Sequence, residues 1–280
     1  MSIVTLLTDF GIEDAYVGTM KGVILSVNPS AVIIDITHHV EPQNIIQAAY
    51  IISSYYRYFP KKTVHIIVVD PGVGSDRDII AVNARGNIFL APDNGVLTLL
   101  IDEGKVDTIV RIENTRFFLK PVSQTFHGRD IFAPIGAHIS KGIDIKALGP
   151  PLEQKDLVHF RISKPYVTAK GALVGEIVSV DRFGNCITNI DENCLAKLYR
   201  TAQDERLEII IGDKRIHGVS HSYFNAEPQN PLAVMGSFGY LEIALNHGNA
   251  RNYFNTKIGD TIRLVLKQKL DDAKSTKTFA

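Results

Sequence analysis

Apolar, β-branched runs alternate with apolar residues at helical spacing through the first half of this chain. Ile3–Leu7 reads as a short buried strand ending in Thr8-Asp9-Phe10-Gly11. Ala15, Val17, Met20, Val23, Ile24 and Val27 then recur at near-helical spacing and stop at Asn28-Pro29. Ala31–Ile36 is a second apolar run with Asp35 near its end, followed by Thr37-His38-His39. Pro42 can open a helix at its first turn, and Ile45–Phe59 has helical periodicity before Pro60. Thr63–Val69 is again continuous and β-branched, and ends at Asp70-Pro71-Gly72-Val73-Gly74. Strands that alternate with helices predict right-handed βαβ units and a largely parallel sheet.

Ile79–Ala84 and Asn87–Ala91, joined by Arg85-Gly86, read as a hairpin. Pro92-Asp93-Asn94-Gly95 is a turn into the short apolar stretch Val96–Ile101. Thr108–Ile112 is a further candidate strand, and Ile131–Ile139 a candidate helix despite Pro134. Leu148-Gly149-Pro150-Pro151 interrupts this rhythm and marks a boundary. After it come short β-like runs, namely Ala172–Val180, Cys186–Ile190, Arg206–Ile211, Arg215–Val219, Leu232–Met235, Tyr240–Leu245 and Thr261–Leu266. Gly, Asn and Asp turns separate them, which predicts a small antiparallel barrel or sandwich. The expected architecture is therefore α/β: an α/β domain over 1–150, a smaller antiparallel β-barrel-like domain over 165–268, and a polar tail over 269–280.

Composition narrows the function classes. The chain has 280 residues and balanced charge, 30 basic against 30 acidic, which argues against a nucleic-acid or membrane-surface partner. Its two cysteines, Cys186 and Cys194, form no metal-ligand spacing and read as reduced, intracellular thiols. No apolar run reaches the ~18 residues of a membrane span. Nothing at the N-terminus resembles a signal peptide, so a cytoplasmic address is expected.

Acidic side chains stand at or near strand ends at Asp9, Asp35 and Asp70, and His127 stands at a predicted helix N-terminus. Open α/β sheets place ligands beyond the carboxyl ends of their strands. A carboxylate such as Asp9 can hold a ribose diol, or it can simply cap the following helix. Asp70, Arg77 and His127 combine a carboxylate, a guanidinium and an imidazole on loops of one domain. Such a set can orient and activate water without a metal. Asp-Pro-Gly is also ordinary turn chemistry, so loop-stabilising roles stay open.

Metal signals are weak. His38 and His39 are adjacent, and His217 and His221 have i,i+4 spacing but lack a zincin glutamate. In the second domain, Asp181-Arg182-Phe183-Gly184-Asn185, Met235–Glu242 and Asn246–Ala250 can present polar groups to a ligand or be plain β-turns. Tyr223 and Phe224 can stack on a base or pack in a core.

Five ordered motifs sharpen this picture: Thr8-Asp9-Phe10-Gly11, Val69–Gly74, Phe126-His127-Gly128-Arg129-Asp130, Asp181–Asn185 and Gly236-Ser237-Phe238-Gly239. In this set the chain resembles the S-adenosylmethionine hydroxide adenosyltransferases, relatives of the fluorinases and chlorinases, from Ile3 to about Leu266. The resemblance implies a homotrimer with active sites shared between subunits. It also implies cleavage of S-adenosylmethionine by water into adenosine and L-methionine, with no cofactor. By motif, Asp70, Arg77 and His127 match the catalytic set, and Asp9 the ribose contact. Asp181 and Ser237 match contacts to the methionine part, Asn185 a contact to adenine, and Phe224 an aromatic against the base. Halogenating relatives carry a tyrosine at the position of Asp70 and a hydroxyl side chain at that of Gly128. Halide transfer, non-catalytic binding of S-adenosylmethionine or adenosine, and a metal hydrolase using Asp9, Asp70 and His127 are the competing readings.

Overall fold

The computed structural model describes residues 2–160, 163–199 and 207–266. The chain forms two compact units, 1–162 and 163–280. In the first, β1 (Ser2–Thr8), α1 (Tyr16–Val27), β2 (Ala31–Thr37), α2 (Ile45–Tyr55) and β3 (Val64–Val68) alternate in sequence. The hairpin β4 (Ile79–Ala84) and β5 (Asn87–Pro92) follows, then α3 (Thr98–Asp102), β6 (Val106–Arg111) and α4 (Ala133–Ser140). The six strands lie in the order β2-β1-β3-β5-β4-β6. Pairings β1/β2, β1/β3 and β3/β5 are parallel, and β4 pairs antiparallel with β5 and β6.

Helices cover both faces of this sheet, so its inner strands are apolar throughout rather than alternating. Every residue of β3 is buried. Val4, Leu6, Ile66 and Val68 pack with α1 and α4, while Leu7, Ile67, Ile80 and Val82 pack with α2 and α3. His65 of β3 lies within this interior. Its Nδ1 is 2.8 Å from Thr5 Oγ1, its ring stacks on Phe89 at 4.9 Å, and burial pushes its pKa down to about 3.

Several local readings change in three dimensions. Pro42 does not open α2: the helix starts at Ile45 behind Asn44, whose side chain accepts from Gln47 N. The helical stretch expected to Phe59 ends at Tyr55 and tightens into a 3₁₀ turn over Tyr56–Tyr58. Val96–Ile101 contributes to a short helix, α3. Pro134 is tolerated because it sits in the first turn of α4, where its missing N–H has no partner to lose. The Pro150-Pro151 break lies inside the first unit. Arg111 N donates to Pro150 O, Leu152 N donates to Ile109 O, and Leu157 is buried against the α2–α3 face.

The second unit contains β7 (Tyr166–Val167), β8 (Leu173–Val180), β9 (Cys186–Asp191), α5 (Glu192–Tyr199), β10 (Leu207–Ile211) and β11 (Lys214–His217). It continues with β12 (Pro231–Met235), β13 (Tyr240–Leu245), α6 (Ala250–Phe254) and β14 (Thr261–Leu266). The sheet is antiparallel, in the order β11-β10-β14-β8-β9-β13-β12, with β7 on β8. Ser220, just past β11, bridges Val234 of β12, so the sheet curls almost into a barrel. Ile177, Cys186, Ile209, Ile243 and Leu264 fill its interior. Burial pushes the Cys186 thiol up to about 12, so it is an inert packing residue. The short helices α5 and α6 are additions to the expected all-β pattern. Arg206 and the 267–280 segment lie outside the described residues. Among the described residues, no helix is long and apolar enough to cross a membrane.

Candidate functional site

The parallel strands β1 and β3 run side by side and release their chains at the same edge. Asp9 follows β1 directly, and Asp70 follows β3 by two residues. Past Asp70 the chain folds on itself: Val73 N donates to Asp70 O, and Ser75 N and Oγ both donate to Gly72 O. This turn returns Arg77 to Asp70. Arg77 Nε donates to Asp70 Oδ1 and Oδ2 at 2.9 and 2.8 Å, and Nη2 donates to Oδ2. Both side chains are largely enclosed, with 11% and 4% of their surfaces exposed.

His127 completes the group. Its Nδ1 lies 2.9 Å from Arg77 Nη2. A guanidinium has donors only, so Nδ1 accepts, and the neutral ring carries its proton on Nε2. Burial, reinforced by the Arg77 cation, holds the His127 pKa below the ordinary histidine value. Both effects favour that neutral form.

The loop bearing His127 is fixed from both sides. A Cβ on Gly74 would stand 2.4 Å from Gln124 O, so the Asp70 turn packs backbone against backbone on this loop. Gly74 also has φ +80°, a region open to glycine at little cost. Beyond His127, a π-helical turn over Gly128–Phe132 leads into α4. Buried Asp130 accepts Arg129 Nε and Nη2 and Ser123 N, and its own carbonyl accepts Leu119 N. The ring of Phe126 packs on Phe10 and Tyr16 at 6.0 and 5.0 Å, which ties this loop to the one carrying Asp9. Gly128 is enclosed by Met20, Phe126 and Phe10, with contacts of 3.2–3.4 Å to a built Cβ. A larger residue there would push those neighbours aside.

The first unit thus brings together three of the sequence candidates, Asp70, Arg77 and His127, by direct bonds. Asp9 stands on the adjoining loop, with Oδ2 accepting from Gln43 N at 2.8 Å.

The second unit arranges its candidates differently. Asp181 Oδ1 accepts Phe183 N and Asn185 N, and Oδ2 accepts Asn185 Nδ2 at 2.9 Å. Gly184 O accepts Arg251 N, which fastens this turn to α6. Ser237 rides on a turn closed by Gly236 N to Tyr240 O and Gly239 N to Gly236 O. Phe224 is 93% exposed and Phe183 76% exposed, so neither is a core aromatic.

One polar pair was not foreseen. Tyr223 Oη donates to buried Glu242 Oε2 at 2.6 Å. Burial, with Asp181 adding repulsion, raises the Glu242 pKa. The hint in the sequence was an acidic residue interrupting the apolar run of β13.

The histidines weighed as metal ligands do not converge. His38 is buried against Thr8, while His217 faces Glu208 at 3.6 Å. Among the described residues, no group of three or more His, Cys, Asp or Glu is arranged to hold a metal ion.

Comparison with known proteins agrees along the chain. Residues 4–149 match the SAM hydroxide adenosyltransferase N-terminal domain, and 175–263 match the C-terminal domain. The (R)-S-adenosyl-L-methionine hydrolase of Methanocaldococcus jannaschii is 36% identical, over 95% of this chain and 96% of that protein. The hydrolase of the same name from Thermus thermophilus is 34% identical, over 95% of this chain and all of its own length. The crystal structure of an uncharacterized conserved protein from Thermotoga maritima superposes with a TM-score of 0.87 at 39% identity, over 93% and 99% of the two chains. The chain therefore belongs to the SAM hydroxide adenosyltransferase family.

Proposed function

We propose that this protein hydrolyses S-adenosyl-L-methionine to adenosine and L-methionine. Water attacks C5′ of the ribose in line with the sulfonium. The new bond is O–C5′, the C5′–S bond breaks, and its electron pair leaves on sulfur as neutral methionine thioether. No general acid is required. Union of a hydroxide-like nucleophile with a cation cancels both charges, so an enclosed, low-dielectric site favours the transition state.

Water is a poor nucleophile, with a pKa of ~15.7, and Asp70, Arg77 and His127 carry its activation. The observation that supports this most is the continuous bonding Asp70–Arg77–His127, with the Asp70 and Arg77 side chains largely enclosed. In that arrangement His127 Nδ1 already accepts from Arg77, and Nε2 offers a proton rather than taking one. Asp70 is then the proton acceptor. His127 orients the water through Nε2–H, and Arg77 stabilises developing hydroxide.

Asp9 takes the ribose hydroxyls, Asp181 and Ser237 the methionine part, Asn185 the adenine edge and Phe224 the adenine face. The assembly that unites the two groups is a homotrimer with sites shared between subunits, in the cytoplasm, and no metal or cofactor takes part. A carboxylate at position 70 repels a halide, which favours hydrolysis over halide transfer.

The test is adenosine formation by purified protein with chelator present. Asp70→Ala and His127→Ala should each lose most turnover, and activity within a fewfold of wild type would remove that residue from water activation. A 5′-chloro nucleoside formed in chloride would instead support halide transfer. S-Adenosylmethionine that stays bound and intact for hours would support a binding protein.

A further inference from the structure

Behind the Asp9 loop lies a polar chain that the water-activating group does not use. Thr8 and His38 are both buried. His38 Nδ1 is 2.8 Å from Thr8 Oγ1, and Thr8 Oγ1 accepts from Phe10 N at 3.3 Å. Gly11 N donates to His38 O at 2.8 Å. Gln43 N, on a residue with φ +65°, donates to Asp9 Oδ2. The segment from His38 to Gln43 therefore grips the loop at Thr8, Asp9 and Gly11, on both sides of the carboxylate.

Thr8 Oγ1 receives the Phe10 N–H and also pairs with His38 Nδ1, since a hydroxyl has one donor and two acceptor positions to share between them. Nε2 lies 3.1 Å from Asp35 Oδ1, close enough for attraction. Asp35 Oδ2 is in turn 2.5 Å from Lys21 Nζ. The ring is thus held by Thr8 in front and Asp35 behind, and neither nitrogen is placed for a metal.

We propose that His38 is a positioning residue for the substrate's ribose. Through Thr8 and its own carbonyl it fixes the loop from which Asp9 meets the 2′- and 3′-hydroxyls. This rests on the reading of Asp9 given above. Its signature is selective, because a ligand without those hydroxyls gains nothing from a well-placed Asp9.

The experiment compares binding of adenosine and 2′,3′-dideoxyadenosine to wild type, Asp9→Ala, His38→Leu and His38→Asn. Wild type should prefer adenosine by about tenfold or more, as expected for hydroxyl donors on a carboxylate. Asp9→Ala should abolish that preference. His38→Leu should reduce it at least fivefold, with dideoxyadenosine affinity within twofold of wild type and kcat within threefold. His38→Asn, whose amide can still hydrogen-bond Thr8, should restore most of it. A wild-type preference retained in His38→Leu overturns the proposal, as does equal loss for both ligands. If His38→Leu does not fold, Thr8→Val tests the same link, and a wild-type preference there also overturns it. No preference in the wild type would instead remove the ribose role of Asp9 and this inference with it, leaving S-adenosylmethionine hydrolysis to be judged by product formation.

Discussion

Asp70 and Asp181 are both aspartates just past a strand, yet they use their oxygens in opposite ways. Asp70 receives a guanidinium brought back by a tight turn, and that guanidinium reaches on to an imidazole. Asp181 receives the backbone and side-chain N–H groups of its own turn. The first unit therefore builds a charged network between loops, and the second builds self-satisfied turns edged by exposed rings. Networks of the first kind can move a proton. Turns of the second kind present fixed shape and backbone, which suits recognition. In both regions burial disfavours the charged form, pushing His65 and His127 down and Glu242 and Tyr223 up.

The largest expected effect lies in the first region. On the proposal that Asp70 takes the water proton in the transition state, Asp70→Ala should lower kcat by roughly 10³-fold with KM little changed. A loss confined to KM would erase the distinction between the two regions. Second is acid stability. His65 is held neutral when folded and has an ordinary value near 6.5 when unfolded, so the unfolded chain binds more protons between those values. Stability should be full above about pH 6.5 and fall towards pH 3, by up to roughly 4 kcal/mol. His65→Leu should flatten that limb in urea titrations run at successive pH values.

Third is the pH profile of turnover. Only neutral His127 can accept from Arg77, so kcat should stay flat below the ordinary histidine value and decline only as His127 protonates. A decline beginning at or above pH 6.5 would contradict the lowered pKa of His127. Next, Asn185→Ala should raise KM by about tenfold and leave kcat within threefold, the reverse of Asp70→Ala. The smallest effect belongs to Phe224→Ala. With 93% of the residue exposed, its loss should leave the melting temperature unchanged and raise KM only a fewfold.

Much of this was legible in the chain because it is written in short-range pattern. A run such as Val64–Val69 is continuous only if buried on both faces, and it announces a parallel interior strand. Asp70, Arg77 and His127 could be nominated from their turn and helix-start positions. Their mutual bonding could not, since it depends on how the Gly74 turn seats on Gln124. Pro42 misled because proline restricts its own backbone but does not say where the following helix starts, which here waits for the Asn44 cap. The Tyr223–Glu242 pair and the Thr8–His38 pair join residues 19 and 30 positions apart, a separation no local rule reads.

The placement of Asp70 has a consequence for what a substitution there disturbs. The side chain stands two positions beyond the last residue of β3, on a bend shaped by Pro71, Gly72 and Gly74, and outside the packed interior that secures the strand. Position 70 works like an interchangeable tool tip on a rigid shank. A change of side chain there alters the bonds to Arg77 and leaves the packed interior beneath the strand in place.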